Sequence, residues 1–144
     1  MYTPLYVKTN YSLLSSLITI DNLLNYLKEH NYSQIAITDN NMFGVMEFYK
    51  KCNNNGIKPI VGLEINLEND SLLLYAKDYN GYKSLIKLST IQASRKVEIK
   101  DIEKYNDSVI CIVPYESMNT YSVLLNIIPD LYLGYSNKDR KSVV

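Results

Sequence analysis

Histidine is nearly missing from this chain of 144 residues, which has one, His30. Imidazole is the commonest metal ligand and the usual acid or base near neutral pH, so a histidine-rich metal cluster is all but excluded. Cysteine is scarce as well. Cys52 and Cys111 both fall inside apolar or helical patterns, which predicts buried thiols of a cytosolic protein rather than a disulfide framework. Neither sign of charge dominates, with 15 Lys plus Arg against 15 Asp plus Glu. A domain that grips nucleic acid unaided shows a basic surplus, and there is none. No apolar run reaches the roughly 18 residues of a membrane span, and the opening MYTPLYVKTN lacks the design of a signal peptide. The expected location is the cytoplasm. No GxGxxG, GxxxxGK[ST] or CxxC occurs. Tryptophan is absent, and the 14 tyrosines are spread through predicted strands and helices. That spread predicts core and half-buried positions rather than a base-stacking platform.

What is present suits one globular domain. Hydrophobic residues make up 47% and charged residues 21%, enough for a core without disulfide or metal staples. Apolar runs alternate with helical patterns. Leu5 to Lys8 predicts a first strand, and Asp21 an N-cap for a helix over residues 21–30. Residues 34–38 predict a strand. Val45, Phe48, Tyr49 and Cys52 mark a helix stopped by Asn53-Asn54-Asn55-Gly56. Lys58 to Ile65 predicts a strand joined through Asn69-Asp70 to a hairpin partner at residues 72–76. Helices are expected at 81–91, 98–105 and 117–128, and strands at 108–113 and 131–135. The alternation argues an α/β fold with a mostly parallel sheet. A polar stretch from Ser136 to Val144 closes the chain. An open sheet and the first part of a barrel are both compatible with this order.

Function in such folds sits at the carboxyl ends of the strands. There the chain places Lys8, Asp39 and Glu64. Two carboxylates there could hold a divalent ion or act as an acid/base pair. Asp39 followed by Asn41 is also a turn and helix-cap signature, and Glu64 equally a solvated strand-end charge. Lys8 reads as a surface lysine. His30 closes a helix, where a cation complements the dipole. Ser12, Ser15 and Ser16 have no base partner, which argues against a serine nucleophile.

Four segments occur together at characteristic spacing: Tyr11-Ser12-Leu13-Leu14, then the run from Ala36 to Gly44 with Glu47 to Lys51, then Gly56 to Glu64, then Ala76 to Tyr82. Together they resemble the N-terminal PHP (polymerase and histidinol phosphatase) domain of bacterial DNA polymerase III alpha subunits, in the low-G+C Gram-positive version. The resemblance runs from about residue 2 to 135. It implies a distorted β/α barrel, seven-stranded in the family, of which residues 1–144 would be the N-terminal part. It also implies a much longer parent chain, whose palm, fingers and thumb would follow and whose DNA synthesis would use Mg. The rest of that chain, DNA through the parent and replisome proteins are the implied partners, with no membrane role.

PHP domains of that family normally hold a metal cluster, used by some members for 3′–5′ exonuclease or phosphoesterase chemistry. This chain departs from the pattern at most of the ligands. The three histidine positions of the first motif fall on Pro4, Tyr6 and Lys8. Asp39 of the TDH motif is kept, but Asn40 follows it. Glu64 is kept. The histidine that opens the next strand falls on Ser71, and the cysteine position after the fifth strand falls near Tyr115. The expectation is a site with no catalytic residue and no metal, in which Lys8 forms an ion pair with Asp39 or Glu64. A metal-dependent phosphoesterase of the same superfamily and a small flavodoxin-like binding domain are the alternatives.

Overall fold

The computed structural model describes residues 2–12 and 16–134. Leu13, Leu14 and Ser15, and the expectations for Tyr135 and the polar stretch after it, lie outside the described residues.

Helix α1 spans Ile20–Glu29 and buries Ile20, Leu23, Leu24 and Leu27, a spacing that puts them on one face. Its N-cap is Thr19, whose Oγ1 accepts from the Asn22 N–H. The expected cap, Asp21, sits in the first turn, where its charge suits the helix dipole and pairs with Lys51 at 2.7 Å. Strand β1 follows at Gln34–Ile37 and helix α2 at Val45–Asn54. The chain leaves α2 through Gly56, at φ 68°, a left-handed conformation that glycine adopts without a Cβ penalty. Strand β2 spans Lys58–Asn66 and turns back through Asn69-Asp70 into β3, Ser71–Ala76. Helices α3 (Tyr79–Ser94) and α4 (Ile99–Lys104) lead to β4, Val109–Pro114. A 3-10 turn at Tyr115–Ser117 and helix α5, Met118–Leu124, precede β5, Leu131–Gly134.

The five strands form one sheet in chain order. β1 pairs with β2 and β4 with β5 in parallel, whereas β3 is antiparallel to both neighbours. Four strands thus point one way, and the tight β2–β3 hairpin reverses the fifth. The sheet is less parallel than its apolar runs suggest, because a hairpin strand buried on both faces has the same composition as a parallel one.

In-register neighbours share a face. Ile35 and Ile37 pack under α1 and α2. Leu63, Leu74, Cys111 and Val113 pack against Leu85, Leu88, Ile102 and Leu124 of α3, α4 and α5. The opposite face carries Ala36, Leu73 and Tyr75, with Ile60, Ile110 and Ile112 beside them. Helices on one side and a half-filled apolar face on the other make this sheet an arc of a distorted β/α barrel. Cys52 and Cys111 are fully buried free thiols, and burial pushes them up to about 11 and about 12.

The expected first strand is an extended segment rather than a strand. The Pro4 carbonyl accepts from Ala36 N–H and the Val7 carbonyl from Thr38 N–H. Pro4 has no N–H to return, and Val7 N–H goes to the Thr38 hydroxyl. A regular ladder therefore never forms. The segment crosses the helix-free face, where the Tyr75 hydroxyl donates to the Leu5 carbonyl at 2.6 Å.

Candidate functional site

Two polar clusters lie where that segment meets the carboxyl ends of β1 and β2. Their backbones touch, since Glu64 N–H donates to the Asp39 carbonyl at 2.9 Å.

The first cluster is built on Glu64. Its register position opposite Leu73 directs it to the helix-free face, and β2 continues past it to Asn66. Lys8 Nζ lies 2.9 Å from Glu64 Oε1, with the two side chains only 16% and 14% exposed. The Tyr6 hydroxyl donates to Oε2 at 2.8 Å. Tyr6 is 58% exposed overall, but its hydroxyl end is turned onto Glu64. Desolvation and the neighbouring carboxylate push it up to about 12. Glu64 is therefore no solvated strand-end charge: an ammonium takes one of its oxygens and a phenol the other.

The second cluster is built on Asp39, 2% exposed. Oδ1 accepts from Thr9 N–H at 2.7 Å and from the Ser12 hydroxyl at 2.6 Å, and Oδ2 accepts from the Thr9 hydroxyl at 2.6 Å. Asp39 thus caps no helix. It ties the N-terminal segment down instead, because the turn at residues 9–12 delivers its donors to Asp39 before helix α2 begins. The Asx turn belongs to Asn41, whose Oδ1 accepts from Phe43 N–H. Lys8 pairs with Glu64 and leaves Asp39 to neutral donors.

The other positions singled out in the sequence scatter. Pro4 contributes its carbonyl to β1. Asn40 N–H points at the Ser12 hydroxyl, and its carbonyl accepts from Gln92 Nε2. Ser71 opens β3 opposite Asn66, and Tyr115 begins the 3-10 turn after β4. His30 ends α1 with Nδ1 2.9 Å from the Tyr26 carbonyl and its ring stacked on Tyr26 at 4.0 Å. Among the described residues, no three of His, Cys, Asp and Glu stand close enough together to ligate one ion.

Residues with no site role in the sequence reading complete the arrangement. Gln92 on α3 bridges the two clusters, its amide donating to the carbonyls of Asn40 and Glu64 while its oxygen accepts from Asn66 N–H. Tyr11 donates to Glu47 at 2.6 Å, and Glu47 in turn pairs with Lys51 at 2.8 Å. Neither Thr9 nor Ser12 was expected as a partner of Asp39. Their spacing from Asp39 carries no local signal, since the bonds close over about 30 residues.

An arc of β/α barrel with carboxylates at two adjacent strand ends narrows the class. The chain belongs to the PHP domain family, whose model matches residues 4–132. Its relatives are DNA polymerase III alpha subunits, and the match is to their N-terminal region. That of Ureaplasma parvum is 37% identical over 153 aligned residues, covering 99% of this chain and 16% of the relative. Those of Halalkalibacterium halodurans and Bacillus subtilis are 36% and 32% identical over 77% and 80% of this chain, and 11% of each relative. The chain thus spans well under a fifth of the curated relatives it matches. In fold it is similar to an amidohydrolase from Chromobacterium violaceum, with a TM-score of 0.56 at 8% identity over 88% of this chain and 73% of the other. Among the described residues, no helix is long and apolar enough to cross a membrane.

Proposed function

We propose that this chain acts as a metal-free PHP domain, a structural and interaction module of a cytoplasmic replicative polymerase alpha subunit. DNA-directed DNA synthesis, with its Mg, belongs to the palm of that larger protein, and DNA reaches this domain through the parent. The observation that carries the reading is the Lys8 ammonium seated on Glu64. The family's metal does not fit the donors present. Glu64 already has a partner at each oxygen. Asp39 receives bonds at both of its own. Pro4, Tyr6 and Lys8 supply no imidazole where the family has three. An ammonium about 4 Å from a divalent ion would cost several kcal/mol at an effective dielectric of about 20. Metal-assisted hydrolysis needs a held cation with an open position, and carboxylate oxygens already taken by protein donors offer poor ligands for one.

The test is metal content after dialysis against Mn²⁺ and Zn²⁺, with nuclease, phosphatase and pyrophosphatase assays on the same samples. The expected result is sub-stoichiometric metal and no turnover. A stoichiometric divalent ion, or turnover abolished by Glu64→Gln, would overturn the reading in favour of a metal-dependent phosphoesterase.

A further inference from the structure

Asparagine followed by glycine occurs twice in the chain, at Asn55-Gly56 and Asn80-Gly81. In such a pair the glycine nitrogen can attack the asparagine side-chain carbonyl carbon, because no Cβ shields it. The attack needs a backbone free to turn and a nitrogen not committed elsewhere. The structure gives the two pairs opposite surroundings.

Asn80 lies in the first turn of α3. Gly81 N–H donates to the Asp78 carboxylate at 3.1 Å as part of the helix cap, and the Asn80 carbonyl accepts from the Ser84 hydroxyl at 3.2 Å. Gly81 is buried against the Ser108 carbonyl and Ala76 Cα. Both ends of that peptide bond are therefore fixed. Asn55 instead closes α2 as its C-cap, and Gly56 follows in the left-handed conformation. Helix ends fray at little cost in free energy. Gly56 is exposed, and a Cβ placed there would meet nothing within 4 Å, so a ring has room to close over it. Its N–H reaches the Asn53 carbonyl only at 3.4 Å, beyond the usual hydrogen-bond range. The side chain is restrained by Asn55 Nδ2 donating to the Lys51 carbonyl at 2.6 Å, a bond of the same last turn that opens with it.

We propose that Asn55 is a site of spontaneous deamidation whose product loosens the passage from α2 into β2. The Gly56 nitrogen bonds to the Asn55 side-chain carbonyl carbon, the C–N bond of the amide breaks, and ammonia leaves with the proton from Gly56. Water then opens the five-membered imide at either carbonyl, giving aspartate or isoaspartate. Either product loses the donor to the Lys51 carbonyl and sets a carboxylate at the negative end of the α2 dipole. Isoaspartate also adds a backbone carbon just before Gly56. Ile57 N–H donates to the Cys52 carbonyl at 2.9 Å there, and Lys58 N–H to the Ser33 carbonyl at 2.8 Å. The longer backbone pulls against both bonds, at the point where Ile57 enters the core and Lys58 takes its register opposite Gln34.

The full chain is incubated warm at mildly alkaline pH, natively and in urea, and peptides are mapped by mass spectrometry over time. In the native chain Asn55 is expected to convert roughly tenfold or more faster than Asn80. In urea the two should convert at similar rates. Gly56→Ala, which shields the nitrogen, should suppress conversion at Asn55 and leave Asn80 as it was. Hydrogen exchange of the aged protein should show lost protection at residues 57–60, with a lower melting temperature. Native conversion of Asn80 as fast as Asn55, no conversion of Asn55, or a difference that persists in urea would overturn the proposal. So would an aged protein fully converted at Asn55 whose exchange at residues 57–60 is unchanged.

Discussion

Replacing Lys8 with methionine tests the site most directly, since it keeps the stem of the side chain and removes the charge. The gross attraction at 2.9 Å is about 6 kcal/mol at an effective dielectric of about 20. Most of that is offset by the desolvation of two groups that are about six-sevenths covered. Truncating one partner of a buried pair costs about 3–5 kcal/mol when the other charge is stranded. Glu64 would not be wholly stranded, because Tyr6 still donates to Oε2 and some solvent reaches the site. The expected loss for Lys8→Met is therefore about 2–3 kcal/mol. Urea unfolding measures it as a lower midpoint at unchanged slope. Adding Glu64→Gln to Lys8→Met removes the stranded charge and should recover most of the loss, so the double-mutant cycle shows strong coupling. A Lys8→Met variant as stable as the parent, or additive single effects, would refute the idea that the ammonium neutralises Glu64.

Two further substitutions probe the frame that holds the site. Gly81→Ala would ordinarily favour a helix by about 1 kcal/mol, but a Cβ there runs into the Ser108 carbonyl and comes within 3.0 Å of Ala76 Cα. Thermal unfolding should show a destabilisation of about 1–3 kcal/mol, the opposite of the propensity scale. Asp101 receives both Arg95 guanidinium nitrogens, at 2.7 and 2.8 Å, and is held down from 3.8 to about 2. A carboxylate depressed in the folded state contributes stability above 3.8 that is lost as the pH falls toward 2. Asp101→Asn should lower stability at neutral pH and flatten the acid limb across that window, as read by urea midpoints against pH.

Local physics made most of the frame legible. The apolar spacing of Leu23, Leu24 and Leu27 and the run through Ile60 to Ile65 are both repetitive signals, and α1 and β2 form there. Capping was harder, because Thr19 and Asp21 are both good caps and the choice falls to tertiary contact: Lys51 draws Asp21 outward. The first segment failed as a strand because its acceptors, the Pro4 and Val7 carbonyls, are three residues apart while their donors, Ala36 and Thr38 N–H, are two apart, and Val7 N–H turns to the Thr38 hydroxyl. Within the site, an ion pair of Lys8 with either Asp39 or Glu64 was foreseeable from the motif resemblance, but the choice of Glu64 was not. The surroundings of Asp39 were not foreseeable, because neutral donors leave no mark in charge patterning and their partner is remote in the chain. The two retained carboxylates have thus been satisfied in unlike ways. Glu64 needs a countercharge at a partly wet site, whereas Asp39, almost wholly enclosed, is satisfied by one N–H and two hydroxyls whose short dipoles converge on it. Both arrangements pin the N-terminal segment across the sheet. Both carboxylates fasten the N-terminal segment as a strap, and in the proposed metal-free reading that use keeps occupied the oxygens a cation would need.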